Sequence, residues 1–131
     1  AGMVNKPRPF RLTPLNPPEI DRQREIIRYL RHEPKVGLFI RINSGRLGSK
    51  GFHWSYTLYF KSDEPRKGKD ATDIIGMLRD GRWFCIEVKR PDELPTEGQR
   101  EMIEMVKAAG GVGGIAETWR DAQRIINGEQ V

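Results

Sequence analysis

The chain has 131 residues, a net charge of +5, 37% hydrophobic residues and one cysteine. That length supports one hydrophobic core rather than two, and no apolar run is long enough to predict a membrane-spanning helix. Cys85, alone, forms no internal disulfide, which excludes the disulfide-stapled secreted class and fits a reducing, intracellular compartment such as a bacterial cytoplasm, or a phage protein acting there. Charge is distributed unevenly: residues 1–70 carry fifteen Lys/Arg against seven Asp/Glu, whereas residues 71–131 carry eight against eleven. A basic half of this kind points to a polyanionic partner, most simply nucleic acid.

Ala1 and Gly2, ahead of Met3, read as a cloning remnant. Residues 1–15 mix Pro7, Pro9 and Pro14 with Lys6, Arg8 and Arg11, which predicts an extended basic arm ahead of a single domain over residues 16–131. The domain opens with a helix capped by Asn16, with Pro17 in its first turn, ending before Pro34. Ile20, Ile26, Ile27 and Leu30 form its apolar stripe, Arg24, Arg28 and Arg31 line another face, and Glu19 falls at the capping-box position.

A strand over Gly37 to Asn43 alternates Leu38, Ile40 and Ile42 with Phe39 and Arg41, and Asn43 to Arg46 turns the chain away. His53 to Phe60 reads as another strand, followed by a charged loop from Lys61 to Asp70. Arg46, Lys50, Lys61, Arg66, Lys67 and Lys69, interleaved with Trp54, Tyr56 and Tyr59, have the composition of a phosphate-holding surface, although such aromatics more often fill a core. His32 and His53 have no evident partners in the sequence and are given no catalytic role.

The run TDIIGMLRDGRWFCIEVKR, Thr72 to Arg90, is a β-hairpin whose register decides the chemistry. A two-residue turn at Asp80-Gly81 sets Asp73 opposite Val88. A three-residue loop, Arg79-Asp80-Gly81, with Gly81 left-handed, sets Asp73 across from Glu87, and this is the register adopted here. Asp73, Glu87 and Lys89 then share one face, with Cys85 as a packed thiol beside them, while Ile74, Leu78, Phe84, Ile86 and Val88 share the other. Opposed Cβ atoms lie roughly 4.5–5.5 Å apart, so the two carboxylates either share a cation or one takes up a proton. Oxygen ligands suit magnesium or manganese rather than zinc.

A second helix starts with Thr96 as cap and Gln99 at the capping-box position, buries Met102, Ile103, Val106 and Ala109, and stops at Gly110. A short strand over Gly111 to Glu117 follows, then a helix from Trp119 to Asn127 ended by Gly128. GGVGG is not read as a phosphate loop, because no Lys follows in strand-to-helix order.

Asp73 with Glu87-Val88-Lys89 makes the D…E-x-K pattern and resembles the PD-(D/E)xK nucleases. With Ile74-Ile75-Gly76, Gly81-Arg82, Ile86 through Pro91, Gln99 and Ala109-Gly110-Gly111 in order, the chain after the N-terminal arm is similar to the VRR-NUC branch, with Thr72 where the superfamily name has proline. The resemblance implies a restriction-endonuclease-like α/β core, a mixed sheet flanked by helices in αβββαβ order. It also implies a metal-dependent, structure-selective DNA endonuclease, foremost one that resolves Holliday junctions. Asp73, Glu87 and the Val88 carbonyl would hold the Mg2+ or Mn2+, with Glu19, four before Gln23, as a third acid. Lys89 would be catalytic and Gln99 supporting. Arg24, Arg28, Arg31, Arg41, Arg46, Lys50, Lys67 and Lys69 are the candidate DNA contacts, and branched DNA and a second copy of the chain the expected partners. The competing expectations are a flap or single-strand nuclease and a nucleic-acid-binding module without chemistry.

Overall fold

Proline and glycine set most of the element boundaries. In the computed structural model, residues 17–42, 45–47, 52–54, 57–59, 66–67 and 71–129 are described. Helix α1 spans Glu19–His32, and its N-cap is Pro18, in extended conformation at ψ 157°, with no side-chain cap. The Pro18 carbonyl takes the amides of Asp21 and Arg22. Asn16, the expected cap, lies outside the described residues, and Glu19 is the first helical residue rather than the third. The capping-box reading of Glu19 therefore fails: two successive prolines put the cap at Pro18, two residues later than the sequence pattern suggested.

Strand β1 (Val36–Arg41) is followed by β2 (Gly45–Leu47), β3 (Phe52–Trp54), β4 (Thr57–Leu58) and β5 (Arg66–Lys67). Then come β6 (Ile74–Leu78), β7 (Trp83–Val88), α2 (Glu97–Ala108), β8 (Val112–Ala116) and α3 (Trp119–Ile126). The main sheet runs β1-β6-β7-β8, with β8 parallel to β7 and the other neighbours antiparallel. The single strand expected over His53 to Phe60 is instead two pieces: β3 pairs β2 and β4 pairs β5, each pair a separate two-stranded sheet. Two readings change with it, since Gly45 and Arg46 are strand rather than turn and Arg66-Lys67 is strand rather than loop. Lys50, Lys61 and Lys69, the N-terminal arm and Tyr56 fall outside the described residues.

One sheet face carries Ile74, Leu78, Phe84, Ile86 and Val88 under Ile26 and Leu30 of α1 and Ala122, Ile125 and Ile126 of α3. Full burial of each such aliphatic or aromatic side chain contributes about 1.5–3 kcal/mol. The other face places Cys85 beneath Met102 and Ile103 of α2. Apolar positions are not all used as the pattern predicted: Ile20, Leu38 and Ile40 are exposed, as are Ala109 and Tyr59. β1 is an edge strand whose pairing with β6 slips between Val36 and Leu38, so its apolar alternation is only half covered. The architecture is thus mixed α/β, a four-stranded mixed sheet with three helices.

Gly76, in the middle of β6, sits where a Cβ would overlap the Phe84 ring and the Leu38 carbonyl. Backbone on one side and a fully buried ring on the other leave no room to yield. Gly76→Ala is predicted to destabilise the fold by about 1–3 kcal/mol, read from the midpoint of urea unfolding.

Candidate active site

The β6–β7 ladder decides which side chains meet. Ile74 pairs with Ile86 and Met77 with Trp83, so the register continues to Leu78 opposite Arg82 and leaves Arg79-Asp80-Gly81 as the loop. Gly81 takes φ +93° and its amide donates to the Leu78 carbonyl at 2.9 Å. The three-residue loop is the one observed, and continuing the register places Asp73 opposite Glu87. On the outer side the Ile42 amide donates to the Asp73 carbonyl at 2.8 Å, and on the inner side Glu87 pairs with Ile115. One row across four strands therefore reads Ile42, Asp73, Glu87, Ile115.

At this open end of the hairpin, side chains replace the backbone ladder. The Val88 amide donates to Asp73 Oδ2 at 2.8 Å, and the Asp73 amide donates to Glu87 Oε1 at 3.1 Å. Lys89 Nζ reaches Glu87 Oε2 at 3.3 Å, and the Lys89 amide is anchored to the Ala116 carbonyl at 3.1 Å. Glu87 is only 1% exposed. Burial, then the charge of Asp73, raises its carboxyl to about 8 despite the opposing pull of Lys89. Asp73 is also raised by burial, against the Val88 amide, Glu87, Lys89 and Arg41. Burial works to lower the Lys89 ammonium, but Glu87, Glu19 and Glu93 outweigh it and leave the ammonium stabilised.

Glu19 stands at the rim. Its carboxyl is raised by partial burial and by the charges of Asp73 and Glu93, against the pull of Lys89, and Glu93 is itself ion-paired to Arg90. Glu93 escaped the sequence reading because the connector Pro91 to Pro95 was taken only as the end of a strand. Its one visible signal was an acid four residues beyond Lys89. One turn along α1 from Glu19, Gln23 is buried, and its Oε1 has no hydrogen-bond partner among the described residues.

Gln99 closes the α2 capping box, its Oε1 accepting from the Thr96 amide at 2.9 Å. No described hydrogen bond joins it to Asp73 or Glu87. Arg24, Arg28 and Arg31 are exposed on α1, and Arg41 is exposed at the end of β1, near enough to act on Asp73. Arg46 and Lys67 are placed in β2 and β5 by their backbone alone. Cys85 is fully buried, and burial pushes its thiol up to about 12, as a packed group rather than a nucleophile requires.

Do these atoms suit a divalent cation? Both carboxylates and the nearest carbonyl are oxygen donors, the set that magnesium and manganese take. In an extended strand the N–H and C=O of a residue point the same way, and the Val88 N–H points at Asp73, so its carbonyl leaves on that side too. A proton held on the raised Glu87 carboxyl answers the same electrostatic need that a cation would meet. Among the described residues, however, no three His, Cys, Asp or Glu side chains are gathered into a metal-sized group. No helix among the described residues is long and apolar enough to cross a membrane. Comparison with protein-family models, with curated proteins and with solved structures finds no match to this chain.

The raised Glu87 value has a signed consequence. The native state binds a proton that the unfolded chain, at 4.5, releases, so this stability is present in full below pH 4.5 and is lost as pH rises through about 8. In chelator, the melting temperature is predicted to fall across that window, and Glu87→Gln, which still accepts from the Asp73 amide, is predicted to flatten the slope.

Proposed function

We propose that this chain is a divalent-metal-dependent endonuclease with a restriction-endonuclease-like core, hydrolysing phosphodiester bonds in branched DNA, foremost four-way junctions. One observation carries the reading: Asp73 and Glu87 meet across the end of one hairpin, with Lys89 two residues further along and in contact with Glu87. Asp73, Glu87 and the Val88 carbonyl are the groups that would hold Mg2+ or Mn2+. Bound there, such an ion would supply Lewis-acid chemistry, polarising a phosphodiester oxygen and lowering the pKa of a water at neutral pH. Lys89 supplies fixed positive charge where negative charge builds on the scissile phosphate, and its alternative contact with Glu87 keeps it in place beforehand. Glu19 and Glu93 add negative charge at the rim and hold the Lys89 ammonium protonated. Arg24, Arg28 and Arg31 supply phosphate contacts along α1, whose affinity depends on salt. A two-fold junction is most simply matched by a two-fold enzyme, so a homodimer is part of the proposal.

A second reading draws on the same bonds. The two carboxylates satisfy backbone amides at a hairpin end, which is a complete structural role, and no third acid converges on them among the described residues. On that reading the chain binds nucleic acid through its basic half and performs no chemistry.

Labelled junction, flap, duplex and single-stranded DNA, each incubated with magnesium and then manganese, separate the two. Cleavage of the junction is expected, reduced about 10²-fold or more in Asp73→Asn, Glu87→Gln and Lys89→Ala with binding retained. Asparagine and glutamine keep the acceptors that Val88 and Asp73 need, so lost cleavage would not be lost folding. Equal cutting by wild type and Lys89→Ala would remove the catalytic assignment, and preference for a flap would reassign the substrate. Added magnesium is further expected to raise the melting temperature more at pH 8 than at pH 5, where protons compete for the same oxygens.

A further inference from the structure

We propose that the outer edge of β8 is a self-pairing surface that joins two copies of this chain, antiparallel about Gly114, into one continuous sheet. Among the described residues β8 has a neighbour only on its β7 side. The Lys89 amide donates to the Ala116 carbonyl, which fixes the alternation along the strand: Val112, Gly114 and Ala116 turn their backbone groups towards β7. Gly113 and Ile115 turn theirs outward, and no described hydrogen bond takes them up. The edge carries no proline, no charge and no bulge, the usual devices against strand addition, whereas the opposite edge, β1, is interrupted between Val36 and Leu38.

Turned end for end about Gly114, a second β8 sets Gly113 opposite Ile115 of the other copy, and Ile115 opposite Gly113. Those are the residues with outward amides and carbonyls, so the pairing makes four backbone hydrogen bonds. The two Gly114 residues form the central, non-hydrogen-bonded pair, where Cα atoms approach to about 4.5 Å and a side chain would crowd. Each Ile115 side chain lies beside a Gly113 with none. Both glycines also have reasons within the chain, since a Cβ at Gly113 would lie 2.6 Å from Cys85 Sγ and one at Gly114 3.0 Å from Ile125.

Beside this edge a groove of about 530 Å³ opens between α2, β8 and the connector at Glu93 and Leu94. Because α2 runs opposite to β7 and β8, the charges lining the groove, from the site end down, are Glu93 on the connector and Arg100, Glu104 and Lys107 on α2, of which Glu104 and Lys107 also pair within the helix at 3.8 Å. Their signs alternate, so a copy turned end for end brings opposite signs together, Arg100 to Glu104 and Glu93 to Lys107. Leu94, 77% exposed, gains cover at the same place. This self-complementarity favours a second copy over a foreign peptide. The interface is argued from the β8 edge and not from the chemistry of the acids, and it gives a place to the homodimer of the nuclease reading, setting both Glu87 residues on one sheet face about 15–20 Å apart by strand spacing.

The test is sedimentation of the full chain over a concentration series, with hydrogen exchange at the Gly113 and Ile115 amides. A dimer is expected, with protection of both amides rising as the dimer forms. Arg100→Glu and Glu104→Arg, both at exposed positions away from the acids, are each expected to weaken it about tenfold, and the double exchange to restore it. A monomer at every concentration overturns the proposal, as does a dimer in which both amides stay unprotected. Restoration failing in the double variant overturns the charge register. A cutting monomer would leave the metal-dependent cleavage standing but remove both this interface and the homodimer, and a dimer that does not cut would leave the interface standing alone.

Discussion

Two carboxylates exchanging acceptors with the opposite strand's amides hold the open end of the β6–β7 hairpin together. A regular ladder would pair Val88 with Thr72, but the Asp73 side chain takes the Val88 amide and Glu87 takes the Asp73 amide. Two buried amides are thereby satisfied, at the cost of bringing two acids into contact in a poorly hydrated place. The bonds that fix the geometry therefore create the electrostatic problem, and a proton or a cation is what relieves it. That tension separates this pair from acids on a solvated strand, which would simply turn to water.

The surrounding fold keeps the pair from relaxing. Phe84, Ile86 and Val88 are fully buried under α1 and α3, so β7 cannot rotate Glu87 outward without exposing a core face. Gly76 fits between Phe84 and β1, and Gly113 fits over Cys85, which brings the four strands close enough to place Ile42, Asp73, Glu87 and Ile115 in one row. The Lys89 amide is tied to β8, while its ammonium returns to Glu87. A single strand thus delivers an acid to one neighbour, a backbone anchor to the other and a cation between them. Acting as a nuclease centre is the proposed use of that arrangement; holding the hairpin closed is the use that needs no ligand.

β8 lies on both sides of this question. Its inner groups complete the sheet that positions Lys89, and its outer groups have no strand partner among the described residues. Parallel pairing to β7 requires α2 as the crossover, and the return of α2 lays Arg100, Glu104 and Lys107 in the groove beside this edge. A fold that ended its sheet with a charged or bulged strand would not offer that surface.

Local chemistry was enough to determine much of this from sequence. The Arg79-Asp80-Gly81 loop, the α2 capping box of Thr96 and Gln99, and the glycine stops at Gly110 and Gly128 each follow from residues within a few positions of one another. Strand alternation then put Asp73, Glu87 and Lys89 on one face, because period-two geometry needs only the register. The start of α1 was misread by two residues, since Asn16 and Glu19 carried capping signals that two prolines overrode. The stretch from Gly45 to Lys67 was misread because short strands with little apolar alternation carry a weak local signal. What only tertiary structure decided were the long-range meetings: Glu93 folding back to Glu19, Ile42 closing on Asp73, the exposure of Leu38 and Ile40, and the burial that raises Glu87. Burial and approach between segments far apart in the chain depend on how whole elements pack, and no spacing within one segment encodes them.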